Sequence, residues 1–130
     1  MPRNTRTFSD LDLNFLAHPT THDINLRYDI EAVKASVRNL ILTSNYERLF
    51  HPEIGSQLKS LLFEPATPIL GILIEKAIKN TIDNFEPRVN LTKVDVNMEP
   101  DNHTVYVNIQ FTVLNIAVVH SINLILYRSR

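Results

Sequence analysis

A change of hydrophobic period at one short stretch constrains this chain more than any other feature. Before Asn84-Phe85-Glu86-Pro87-Arg88-Val89 the apolar residues recur at helical steps, and after it they alternate with polar ones. The two periods belong to different backbone geometries, so the chain reads as helices followed by strands, an α+β fold. Pro87 enforces the switch: it has no backbone N–H and disfavours helix at Glu86, so a helix must end near Phe85. Glu86 and Arg88 flank the break with opposite charges, and in an extended segment residues two apart share a face. Two readings stay open. The stretch is a helix stop with two solvated charges, whose pairing is weak, or a rigid knuckle that presents a carboxylate and a guanidinium to another protein chain.

The helical half is legible from spacing and caps. Ile30, Val33, Val37, Leu40 and Ile41 make one stripe over about 29–43, with Asp29 as the expected N-cap. Residues 56–63 predict a short helix with Ile54, Leu58, Leu61 and Leu62 inward, stopped at Phe63-Glu64-Pro65. The clearest helix begins at Thr67, a good N-cap, followed by Pro68 at the first helical position, where a missing N–H costs nothing. Leu70, Leu73, Ile74, Ala77, Ile78, Thr81 and Ile82 follow at helical steps. Ile69 and Ile72 widen that surface beyond one stripe, which predicts burial by the sheet on one side and by a partner on another. Upstream, residues 1–26 are polar and irregular, with scattered Phe8, Leu11, Leu13, Phe15, Leu16 and Ile24. They read as an extended arm lying along its own domain or a neighbour, with a disordered terminus as the alternative. Residues 27–130 then form a single domain of ordinary size.

Beyond Pro87, Val89, Leu91, Val94, Val96 and Met98 alternate with polar residues, and a slip at Thr92-Lys93 predicts a bulge. Residues 99–102 have turn composition. Val105, Val107, Ile109, Phe111 and Val113 alternate cleanly, 114–118 reads as an apolar connection, and Ile122, Leu124 and Leu126 make a third alternation ending at Tyr127-Arg128. Short connections predict a three-stranded antiparallel meander with about three helices on one face. Its centre is then 103–113, and its edges are the flanking strands.

Composition removes most chemistries. Two glycines leave no glycine-rich phosphate loop, and the absence of cysteine excludes disulfides and thiolate metal sites. Thirteen basic and 14 acidic residues give a net charge of −1, without the field expected for nucleic acid or a membrane surface. The first ten residues lack the apolar core of a signal peptide, and no apolar run approaches a membrane span. His18, His22, His51, His103 and His120 fall in different elements with no metal-ligand spacing, so no metal and no cofactor is expected. No serine has a nucleophile-elbow context. Glu53, Glu64 and Glu86 could supply the carboxylate pair of a glycosidase, but each adjoins a proline at a helix boundary, where a local cap or surface charge is ordinary.

Three motifs then occur in order: Arg48-Leu49-Phe50-His51-Pro52-Glu53-Ile54-Gly55, Leu62-Phe63-Glu64-Pro65, and Glu86-Pro87-Arg88. At this spacing, from about Ile30 onward, the chain resembles the small baseplate wedge proteins of contractile-tailed bacteriophages. That family includes the sheath-initiator subunits of type VI secretion baseplates. Glu86-Pro87-Arg88 matches the family's Glu-Pro-Arg motif in full. Arg48, Phe50, Pro52 and Gly55 match its arginine–aromatic–proline–glycine segment.

The resemblance implies a structural, non-enzymatic protein of the virion tail baseplate, assembled in the host bacterial cytoplasm. It implies six copies around the tail tube, each docked on a helical core bundle of other wedge subunits. It further implies strands on which the tail sheath protein starts to assemble, with the tail tube or hub as an additional contact. Some family members carry a lysozyme-like label, so a particle-associated peptidoglycan hydrolase is the alternative, although no residues here carry that activity over. An adaptor domain of some other complex is a third reading.

On this resemblance Glu86, Pro87 and Arg88 are expected at a docking surface. Arg88 would donate a forked set of hydrogen bonds to partner carboxylates or helix-end carbonyls, with Glu86 orienting it or accepting from the partner. Arg48 is expected at the interface, and Phe50 in the core, where large aromatics usually lie. The last strand, about 119–128, has nothing after it in sequence to cover it and is apolar on both faces, with Ile122, Leu124 and Leu126 on one and Ile125 and Tyr127 on the other. Such an edge invites aggregation unless another chain completes the sheet. A sheath arm is therefore expected to pair there, with Tyr127 and Arg128 at the rim.

Overall fold

Pro87 divides the molecule as its chemistry requires. A computed structural model describes residues 8–128. In chain order its elements are β1 (Ser9–Leu11), β2 (Leu26–Tyr28), α1 (Asp29–Leu42), α2 (Leu58–Leu61), α3 (Pro68–Phe85), β3 (Val89–Glu99), β4 (Thr104–Val113) and β5 (Ile116–Tyr127). Residues 1–7 of the expected arm and 129–130 of the expected domain lie outside the described residues.

The C-terminal sheet has the order β3-β4-β5, antiparallel throughout. Val107 sits between Val96 and Leu124, and Ile109 between Val94 and Ile122, so one pleat face is continuous and apolar across all three strands. The register shifts between Leu91 and Lys93, where the slip in the alternation predicts it. The core forms where that face meets the stripes of α1 and α3. Val33, Val37 and Ile41 on α1 and Leu70, Ile74, Ile78 and Ile82 on α3 are buried with Val105, Val107, Ile109 and Phe111 on β4. Thr67 caps α3 as its sequence position predicts: its Oγ1 accepts from the Leu70 N–H at 3.3 Å, and Pro68 follows it. Leu73, Ile69 and Ile72 remain exposed on the far side of α3.

Several local expectations change. Asp29 is the first residue of α1 and Tyr28 takes the cap position. The Asp29 carboxylate instead accepts from the Phe8 N–H at 3.2 Å, and the Asp29 N–H donates to the Phe8 carbonyl at 2.8 Å, which clasps the N-terminal strand to the helix. The arm doubles back as a hairpin, with Ser9 opposite Tyr28 and Leu11 opposite Leu26. α2 is only one turn long, because Ser56 before it is drawn onto the end of α1. Its N–H donates to the Thr43 carbonyl at 2.8 Å and its hydroxyl to the Ile41 carbonyl. Gly55 permits this approach: its φ is +151°, and a side-chain carbon there would lie 2.7 Å from the Ser44 carbonyl carbon. The 114–118 connection shrinks to a tight turn at Leu114 and Asn115, with Asn115 at φ 67°, and Ile116 already begins β5.

Candidate functional site

Glu86 stands at the C-cap of α3, held out of helical geometry by the following Pro87. The turn sends its side chain inward against α1, where Ser36 Oγ donates to Glu86 Oε2 at 2.6 Å. Arg88, two residues on and on the same side, closes a fork: its Nε donates to Oε1 at 2.6 Å and its Nη2 to Oε2 at 2.9 Å. Glu86 is 4% exposed, an arrangement that fits the first of the two roles expected for it, orienting Arg88, better than presenting a free carboxylate. The Arg88 side chain keeps 31% of its surface in solvent. The Phe8 ring lies over the guanidinium, 5.2 Å from Cζ to ring centroid.

Burial alone would push the Glu86 carboxyl up, but the hydrogen bonds from Arg88 and Ser36 together with the Arg88 charge outweigh it and hold the group below its ordinary value of 4.5. The same fork raises Arg88 against the opposing effect of its burial, with the charge of Asp10 adding to it. A carboxyl whose folded value is depressed contributes stability that is present above its unfolded value and lost as pH falls through the folded one. The thermal midpoint should therefore fall on acidification below about pH 4.5, and Glu86→Gln should flatten that part of the curve. Superimposable pH profiles of the two proteins would contradict this.

Beside the pair opens a cleft of about 400 Å³, walled by Asp10 and Leu13 of the hairpin, Ser36 of α1, Arg48, and Phe85 and Glu86. Arg48 and Glu86, distant in sequence, thus meet at one site. Arg48 belongs to a loop closed on itself: the Ser44 N–H donates to Glu47 Oε2 at 2.8 Å and the Tyr46 N–H to the Pro52 carbonyl at 2.8 Å. These bonds seat the base of the loop and leave its tip outside, so Phe50 is 92% exposed. That reverses its expected place in the core: the aromatic preference for burial is overridden by local backbone closure.

At β5 the side chains of Ile122, Leu124 and Leu126 fill the core, so they can meet a partner only through their backbone, while Ile125 and Tyr127 face outward. Arg128 is engaged within the chain. Its N–H donates to the His103 carbonyl at 2.7 Å and its Nη2 to the Glu64 carbonyl at 2.6 Å. Sequence reasoning did not single out Ser36, which reaches Glu86 from another element, and saw Phe8 only as one scattered apolar residue.

Neither Glu86 nor Glu53 has the raised carboxyl of a glycosidase acid. A glycosidase needs one carboxyl pushed up to act as an acid, whereas Glu86 is held ionised. Glu53 is exposed, paired with His51 at 3.2 Å, and lowered chiefly by a backbone hydrogen bond. Among the described residues no cluster of three His, Cys, Asp or Glu could hold a metal ion, and no helix is long and apolar enough to cross a membrane.

Residues 25–117 match the family of baseplate wedge protein gp25. The chain is 30% identical over 115 residues to baseplate wedge protein gp25 of Enterobacteria phage T4, an overlap of 88% of this chain and 86% of that protein. A candidate tail lysozyme from Geobacter sulfurreducens has a similar fold, with a TM-score of 0.70 at 21% identity over 75% of this chain and 89% of its own. A chain of the anti-feeding prophage baseplate, a six-fold symmetrised structure, superposes with a TM-score of 0.66 at 21% identity over 95% and 86%. At such identities these two structures speak for the fold alone.

Proposed function

The chain belongs to the baseplate wedge protein gp25 family, and from that premise we propose that it docks on helices of other wedge subunits through Arg88 and starts the sheath by strand pairing at β5. The observation that carries the docking reading is the partly exposed Arg88 guanidinium, fixed by the buried Glu86 carboxylate, which itself lines a cleft together with Arg48. A fixed fork is suited to carboxylates and helix-end carbonyls, where planar donors add geometric selectivity. Phe50, standing free beside Arg48, adds an apolar anchor of the kind that dominates interface energetics. The sheath reading rests on β5, an end strand of the sheet with apolar side chains on its outward face.

In this reading the protein acts without catalysis, in the virion tail, in six copies assembled in the host cytoplasm with the tail tube or hub nearby. Reconstitution with purified wedge subunits from the same tail tests the docking, and a peptidoglycan-release assay tests the hydrolase alternative. Co-assembly without glycan turnover is expected; turnover lost on changing Glu53, Glu64 or Glu86 would favour the alternative. Phe50→Ser should leave the thermal midpoint unchanged and weaken wedge assembly by about 1–2 kcal/mol. A fall in stability like that of a core truncation would contradict the exposed position.

A further inference from the structure

Arg88 is constrained from two directions that its own motif does not supply. From one, the Phe8 ring covers the guanidinium at 5.2 Å. From the other, Ser36 Oγ donates to Glu86 Oε2, the same oxygen that accepts from Arg88 Nη2. Phe8 is itself held, because its N–H and carbonyl both bond to Asp29 at the start of α1. The next residue begins β1, which pairs with β2, so the N-terminal hairpin delivers the ring to the arginine.

We propose that Phe8 and Ser36 are positioning residues for Arg88, and that seating of the N-terminal hairpin on α1 is a condition for partner recognition. This rests on the docking role of Arg88. A guanidinium has five N–H donors, and the fork spends its Nε and one Nη2 donor on Glu86, which leaves the Nη1 end for a partner. The ring face attracts the cation without consuming any donor. The serine hydroxyl stops the carboxylate from rotating out of the fork. A group held in one orientation loses less freedom on association, so both residues act on binding more than on folding.

The test uses the whole chain, nitrogen-15 NMR of the Arg88 Nε–H, and titration with recombinant wedge subunits of the same baseplate. In the parent protein that signal should exchange slowly with solvent and be displaced by the Phe8 ring current. Phe8→Leu should remove the displacement, speed exchange and weaken wedge binding about five- to tenfold. Phe8→Tyr should restore all of these. Ser36→Ala should speed exchange and weaken binding while keeping the ring-current displacement, and it decides the matter if Phe8→Leu does not fold. Parent-like exchange and binding in both Phe8→Leu and Ser36→Ala would overturn the proposal. Arg88→Lys separates the two levels. If it alone binds poorly, only the positioning role fails. If it binds normally, the docking reading fails, and the exchange rates decide positioning by themselves.

Discussion

Arg88→Lys is expected to give a folded domain that fails to enter assembled wedges. Lysine keeps a cation near Glu86 but replaces the planar fork with a point charge, so the bond pattern from Nε and Nη2 cannot be reproduced. The cost to folding should stay near about 1 kcal/mol, the scale of one lost hydrogen bond. Arg88→Ala is a poorer experiment. It leaves a carboxylate that is 4% exposed with Ser36 as its remaining side-chain donor, which should cost about 1–3 kcal/mol, short of a fully buried pair because the guanidinium is partly in solvent. For binding, removal of an arginine anchor typically costs about 2 kcal/mol or more, roughly thirtyfold in affinity. Thermal unfolding and wedge reconstitution measured on the same Arg88→Lys sample separate the two effects. Normal wedge incorporation would mean that the Glu86–Arg88 pair serves the fold and nothing else.

Ile125→Pro is expected to abolish sheath initiation while wedges still form. The Arg128 N–H points at His103, the residue before β4, and backbone N–H groups alternate in direction along a strand, so the Ile125 N–H points away from β4 to the open edge. The Ile125 side chain is 55% exposed on the outer face, so a proline there removes an outward donor and leaves the core side chains Leu124 and Leu126 in place. Ile125→Ser is the matched control, since it shortens the same side chain and retains the N–H. Sheath polymerisation on purified baseplates, scored by electron microscopy, should proceed on the serine variant and fail on the proline variant. Growth on a folded proline variant would rule out strand pairing at this edge.

The helices and the sheet were legible wherever a period persisted for several turns or several alternate residues. The Thr67-Pro68 start of α3, its end before Pro87, the shift at Thr92-Lys93 and the central place of β4 all follow from local steric rules. The hairpin was not legible because Ser9–Leu11 and Leu26–Tyr28 are three residues each, too short for an alternation to register. Asp29 had the chemistry of a cap, yet its carboxylate serves Phe8, a partner distant in sequence. Phe50 was misplaced because its exposure is set by backbone bonds at the loop base, which composition does not encode. The shared side of Glu86 and Arg88 followed from their spacing, but Glu86 is buried against α1, where it accepts from Ser36, a residue that no local rule links to it. Alternation likewise grouped Ile122, Leu124 and Leu126 on one face of β5, whereas only the packed helices determine that this face belongs to the core.

A cryo-electron microscopy map of the assembled baseplate, at a resolution that shows side chains, tests the central claim most directly. The account predicts the Arg88 guanidinium against a carboxylate or helix-end carbonyl of another wedge subunit, and a sheath strand hydrogen-bonded along β5. Arg88 facing solvent beside a bare β5 edge, in a particle with its sheath in place, would contradict it.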